Sequence, residues 1–153
     1  MTKSLANKFK MAVEATPDID KCYKPGLNAL GVHSSKIVLS EGIICNGSVN
    51  IDACLKEKYP DSNRWDYCFG CNHEVFFIEV HPANISDIKV MINKMRWLKD
   101  WLKNQAPQLD SLKATSVPAF YWIQSGRNAI LPNSPQARRM AKEGIKPIGK
   151  LKL

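Results

Sequence analysis

The sequence predicts an α/β protein, a three-layer sandwich with helices around a central mixed sheet, in a single domain over residues 1–153. Three observations carry that expectation. Two runs rich in β-branched and aromatic residues, 64–70 and 74–82, lie close enough to pair as a hairpin. A long amphipathic helix, about 87–104, follows the second run directly. A further apolar strand at 119–124 and a capped helix from 134 come next, so strands and helices alternate. The chain is 44% hydrophobic and 24% charged, enough apolar matter for a core and too much for wholesale disorder.

Taken in order, the first helix is expected over 4–15. Ser4 can cap it, Leu5, Phe9, Ala12 and Val13 form its apolar stripe, and Thr16-Pro17 ends it. The stretch to about residue 36 contains Pro25-Gly26 and reads as a short helix with irregular connections. Short strands are expected at 36–39 and 42–45. Over 48–55, Val49, Ile51 and Ala53 alternate with Asn50, Asp52 and Cys54, which is the period of a strand. The run 64–70 then turns through Gly70–His73 into 74–82, which Pro82 stops. Ser86 is placed to cap the long helix, whose stripe is Ile88, Met91, Ile92, Met95, Leu98 and Leu102, broadened by Trp97 and Trp101. Those two tryptophans read as core or interface residues ahead of base-stacking ones. Lys89, Lys94, Arg96, Lys99 and Lys103 take the other side. Strand 119–124 is expected to end at Ser125-Gly126, with Ser125-Gly126-Arg127-Asn128 as a turn or a phosphate-holding loop. Ser134, Pro135 at the first helical position and Gly144 frame the last helix, and 148–153 reads as an edge strand.

The pattern most informative about function is Glu79-Val80-His81, near the end of an apolar strand. Residues two apart in a strand point the same way, so Glu79 and His81 project side by side. A charge at that place costs several kcal/mol unless it is paired, protonated or bound to a metal. Asp66, in the neighbouring run, can converge on it, and two acids at adjacent strand ends suit Mg²⁺ or Mn²⁺. The competing expectation is structural. In it Asp66 and Glu79 pair with Arg64 or Arg127, and His81 is a hydrogen-bonded core histidine.

A formal net charge of +8 favours polyanionic partners, nucleic acid first among them. Arg138, Arg139 and Lys142 on the last helix, with Arg127, are the residues expected to meet a phosphate backbone. No apolar run approaches the roughly 20 residues of a membrane span. Met1-Thr2-Lys3-Ser4-Leu5 lacks the apolar stretch of a signal peptide, so a cytoplasmic location and no membrane partner are expected. Five cysteines are an odd count, which predicts reduced thiols. Cys68 and Cys71 have zinc-knuckle spacing, but the second half-site is missing, so the sequence argues against zinc and for a tight hairpin with Gly70 at its turn.

With these residues in view, the chain resembles the restriction-endonuclease-like superfamily, the PD-(D/E)xK nucleases. That core runs αβββαβ, with an acid on the second core strand, E-x-K on the third and a helix directly after. The acid falls on Asp66, the E-x-K on Glu79-Val80-His81, and the helix on 87–104. The chain departs from the pattern at Trp65, where proline is often found, and at His81, which stands in place of lysine. The resemblance implies a divalent-metal-dependent nuclease, in defence, repair or recombination, often acting as a homodimer or with a protein partner. Asp66, Glu79 and His81 would be metal ligands, His81 alternatively the base, and Lys94 or Lys99 would supply the missing lysine charge. Asp52 is a further ligand candidate. The alternative implied by His81 is an inactive module of the same fold that binds nucleic acid or a protein.

Overall fold

The computed structural model describes residues 7–153 as a mixed α/β fold. Its elements are α1 (Lys8–Glu14), a 3-10 helix (Asn28–Lys36), β1 (Ile37–Val38), β2 (Cys45–Asn50), α2 (Ile51–Leu55), β3 (Tyr67–Cys71), β4 (Glu74–Ala83), α3 (Asp87–Gln105), α4 (Pro107–Leu112), β5 (Phe120–Asn128), α5 (Pro135–Glu143), β6 (Pro147–Ile148) and β7 (Leu151–Lys152). One five-stranded sheet runs in the order β2-β3-β4-β5-β6. The first three strands form an antiparallel meander, whereas β5 lies parallel to β4 and β6 parallel to β5. A separate two-stranded parallel sheet joins β1 to β7, so the expected edge strand at 148–153 is two short pieces in two sheets. Among the described residues no helix is long and apolar enough to cross a membrane.

Local chemistry explains the boundaries. The side chain of Asn7 accepts from the Lys10 N–H at 3.0 Å and caps α1, which buries Phe9, Ala12 and Val13 as the stripe requires. The cap expected at Ser4 and the contact of Leu5 lie outside the described residues. The alternating run 48–55 is not one strand. Asn50 ends β2 and accepts from the Ala53 N–H at 2.9 Å, so its side chain starts α2 and overrides the period-two pattern. The segment 42–45 is also not a strand, since β2 begins only at Cys45.

The hairpin between β3 and β4 turns at Asn72 and His73, which take positive φ values of 49° and 66°, and not at Gly70. Gly70 has another reason to be glycine. A Cβ built there would sit 2.7 Å from the Phe9 Cβ, so α1 packs directly on the β3 backbone. Phe9 is fully buried and has no room to yield. Gly70→Ala is therefore expected to cost about 1–3 kcal/mol in a urea titration, with the fold retained. Pro82 does not stop β4. The strand continues to Ala83, and the proline occupies the register shift between His81 and Ala83, where no ladder N–H is required.

Helix α3 matches the expected stripe: Ile88, Met91, Ile92, Met95, Leu98, Trp101 and Leu102 are buried. Ser86 holds the cap position without a capping hydrogen bond. Asp87 instead accepts from the Asn84 N–H at 3.0 Å, which turns the chain into the helix. Trp97 and Trp101 stack at 6.0 Å between centroids, and the Trp101 indole donates to Asp18 at 3.0 Å, as befits structural residues. Strand β5 runs on to Asn128, so Ser125-Gly126-Arg127-Asn128 is neither turn nor phosphate loop. Helix α5 follows its signals closely: the Ser134 hydroxyl accepts from the Ala137 N–H at 3.1 Å, and Gly144 closes the helix at φ 74°.

The five cysteines are not all reduced, contrary to what their odd count predicts. Cys22 and Cys54, 32 positions apart in sequence, form a disulfide between the segment after α1 and helix α2, with Cα atoms 6.3 Å apart. Odd parity excludes only full pairing. It does not decide which two thiols the fold brings together. Cys45, Cys68 and Cys71 remain free.

Candidate active site

Strands β3 and β4 pair antiparallel from Tyr67 opposite Ile78 onward, so Asp66 comes to lie just beyond β3, beside Glu79 and Val80. The two acids are cross-linked through the backbone. Glu79 Oε1 accepts from the Asp66 N–H at 3.0 Å, and Asp66 Oδ2 accepts from the Val80 N–H at 3.0 Å. This reciprocal pairing fixes both carboxylates at one end of the two strands.

The charge on Glu79, only 1% exposed, is compensated from α3: Lys94 Nζ lies 2.6 Å from Glu79 Oε2. Met91 and Met95 bury into the core on the same helix, which leaves Lys94 on the flank, able to reach down to β4. His81 stands next to the pair, with Nδ1 3.4 Å from Glu79 Oε2 and Nε2 3.1 Å from Asp87 Oδ1. The His81 backbone is anchored as well, because its carbonyl accepts from the Trp122 indole at 3.0 Å. Asp66, Glu79, His81 and Lys94 are thus brought together.

The electrostatics follow from this packing. Burial, and then the charge of Glu79, push the Asp66 carboxyl up to about 7, against the smaller opposing effect of the Val80 hydrogen bond. The hydrogen bond to Glu79 raises the His81 pKa against the opposing effect of burial. The imidazole, flanked by two carboxylates, therefore keeps its proton to higher pH than a free histidine would.

Asp52 lies beside the pair: its backbone N–H donates to the Asp66 carbonyl at 3.3 Å, while its side chain pairs with Arg64 at 2.9 Å, so Arg64 is not the partner of Asp66. Lys99 lies over the Phe120 ring, 5.4 Å from its centroid, and leaves the supporting role to Lys94. Arg138, Arg139 and Lys142 are exposed on α5 and make no ion pair with the cluster among the described residues. Arg127 is exposed on β5 between Gln124, which lies opposite His81, and Asn128, opposite Ala83, so it shares the strand end that carries the site. His33 faces the Tyr67 hydroxyl at 2.9 Å and is accounted for structurally. A cleft of about 550 Å³ between β5, β6 and α5, lined by Phe120, Tyr121, Met140 and Lys146 among others, holds none of the clustered residues.

Sequence reasoning missed Asp87. An acid in the first turn of a helix is ordinary, because the helix dipole favours it, so its spacing of six residues from His81 carried no separate signal.

Comparisons of the chain with protein-family models, with curated proteins and with solved structures found no match in any of the three. The functional reading rests on the site itself. Among the described residues, no group of three or more His, Cys, Asp and Glu side chains is arranged to hold a metal ion. The two central acids offer oxygen donors of the type a hard divalent cation takes. Burial first, and the Glu79 charge second, hold the Asp66 carboxyl up, and among the described residues a hydrogen bond reaches only one of its oxygens. Mg²⁺ is commonly held by one or two carboxylates, with water and substrate phosphate completing its shell.

Proposed function

We propose that the protein is a small divalent-metal-dependent nuclease with a restriction-endonuclease-like core, hydrolysing phosphodiester bonds of nucleic acid. The observation that carries this reading is the convergence of Asp66, Glu79 and Lys94 at one end of β3 and β4, directly before and beneath α3. The element order supports the same core once the 3-10 helix, β1 and the short helices α2 and α4 are set aside: α1, the meander β2-β3-β4, α3 and then β5 run in the order αβββαβ. In this reading Asp66 and Glu79 hold Mg²⁺ or Mn²⁺, which when bound polarises the scissile phosphate and acidifies an attacking water. Lys94 places a positive charge beside the same acids and stabilises charge that develops on the phosphoryl oxygens. His81, expected from the sequence as a metal ligand or the base, takes the role of acid in this reading. Held between Glu79 and Asp87, it keeps its proton to higher pH than a free histidine would and is positioned to give that proton to a leaving oxygen. Arg127, Arg138, Arg139 and Lys142 supply exposed charge for the phosphate backbone.

One observation favours a second reading. Both Glu79 oxygens are already engaged, by the Asp66 N–H, Lys94 and His81, and such a self-compensated cluster suits a module that keeps the fold without cleavage. It would bind nucleic acid or a protein partner through its basic residues.

The test is cleavage of single- and double-stranded DNA and RNA with Mn²⁺ or Mg²⁺ by the wild type, Asp66→Asn and Lys94→Met. The nuclease reading expects metal-dependent cutting by the wild type that falls roughly 100-fold or more in each variant. Intact substrates with steeply salt-dependent binding would establish the second reading in its place. Cutting that survives both substitutions would remove the cluster from the chemistry.

A further inference from the structure

Two cysteines that the proposed site does not use meet at the hairpin end of the sheet, the end of β3 opposite to Asp66. Strands β2 and β3 place Cys45 directly opposite Cys71. The Asn72 N–H donates to the Ile44 carbonyl at 2.9 Å, one residue outside this pair, which makes Cys45 and Cys71 a non-hydrogen-bonded pair. In such pairs the Cα atoms approach to about 4.5 Å, inside the range a disulfide spans.

The two thiols are unequal. Cys71 is buried, at 3% exposure, whereas Cys45 is partly open, beside the exposed residues Ile44 and Asn72. The neighbouring Cys71 lowers the pKa of Cys45, while the neighbouring Cys45 and burial raise that of Cys71. A partly open thiol with a lowered pKa, set directly opposite a buried one, is the arrangement of an attacking and a resolving thiol. The third free cysteine, Cys68, is fully buried opposite Val49, and burial pushes its thiol up.

We propose that Cys45 and Cys71 are a dithiol site that reacts with low-molecular-weight disulfides such as glutathione disulfide. The Cys45 thiolate attacks one sulfur of the small disulfide. The S–S bond breaks, one small thiol leaves and takes up a proton, and a mixed disulfide remains on Cys45. Cys71 then loses its proton and attacks the Cys45 sulfur, which expels the second small thiol. Two protein thiols are oxidised and one external disulfide is reduced to two thiols, with the cross-strand bond as product. The Cys22–Cys54 disulfide takes no part.

The experiment incubates the intact protein with glutathione disulfide, then alkylates it under denaturing conditions, counts free thiols, and maps the linked peptides by mass spectrometry. The wild type is expected to fall from three free thiols to one, with Cys68 the alkylated residue and Cys45 joined to Cys71. Cys71→Ser should stop at a glutathione adduct on Cys45, and Cys45→Ser should keep both of its remaining thiols. The mapping on wild-type protein alone decides the question should either variant fail to fold. Three thiols retained, a glutathione adduct on Cys45 that never closes, or a bond that includes Cys68 would each overturn the proposal.

Discussion

Replacing Glu79 with alanine is expected to destabilise the protein by about 3–5 kcal/mol, the cost of breaking a buried ion pair from one side. Glu79 accepts the Asp66 N–H, holds Lys94 at 2.6 Å and touches His81, all from an almost fully buried position. Its removal strands the Lys94 ammonium, 18% exposed, and deprives the Asp66 amide of its acceptor. One effect opposes the loss, because Asp66 no longer faces a neighbouring charge. Urea denaturation measures the net result. Glu79→Gln keeps an acceptor for Asp66 and should cost less, and adding Lys94→Met to Glu79→Ala should return part of the stability by removing the stranded charge. A loss below about 1 kcal/mol for Glu79→Ala would mean that the cluster does not organise this end of the sheet.

Asp66→Asn is expected to change how stability depends on pH. In the unfolded chain Asp66 titrates near 3.9, but in the folded protein it holds its proton up to about 7. Between these values the folded state binds more protons than the unfolded state, so stability falls as pH rises through that window, by a few kcal/mol in all. His81 acts in the same direction. Its raised pKa contributes stability that is present below the unfolded histidine value and is lost as pH rises through the folded one. Asp66→Asn removes the first contribution and leaves the second. Thermal unfolding between about pH 4 and pH 8 should therefore show a shallower decline for the variant, with the largest gain over wild type at the alkaline end. Parallel curves for the two proteins would contradict the buried, repelled state of Asp66.

Much of this arrangement was legible from residue pattern. The stripe of α3, the caps and closing glycine of α5, and the pairing of the two apolar runs rest on periodicity and turn chemistry, which local sequence encodes directly. Those signals also brought Asp66, Glu79, His81 and Lys94 into one neighbourhood, because strand alternation and helix phase fix which way each side chain points. The failures have a common form. Asn50 reads as one position of an alternating strand, but its amide starts a helix. Gly70 reads as a turn residue, but the turn is made by Asn72 and His73, and glycine is required by the approach of Phe9. Asp87 reads as a helix-start acid, but it also holds His81. Cys22 and Cys54 meet from 32 positions apart in sequence. In each case the deciding contact is tertiary, or one residue serves two purposes, and periodicity sees only the commoner one.

A cation held by Asp66 and Glu79, as proposed, should be visible in calorimetric titration with Mn²⁺ at about pH 8, above the pH at which Asp66 gives up its proton. One saturable Mn²⁺ site per chain is expected in the wild type, weakened at about pH 5 as Asp66 takes up its proton, and absent in Asp66→Asn. Saturable binding that is unchanged in Asp66→Asn, or no binding by the wild type, would contradict it.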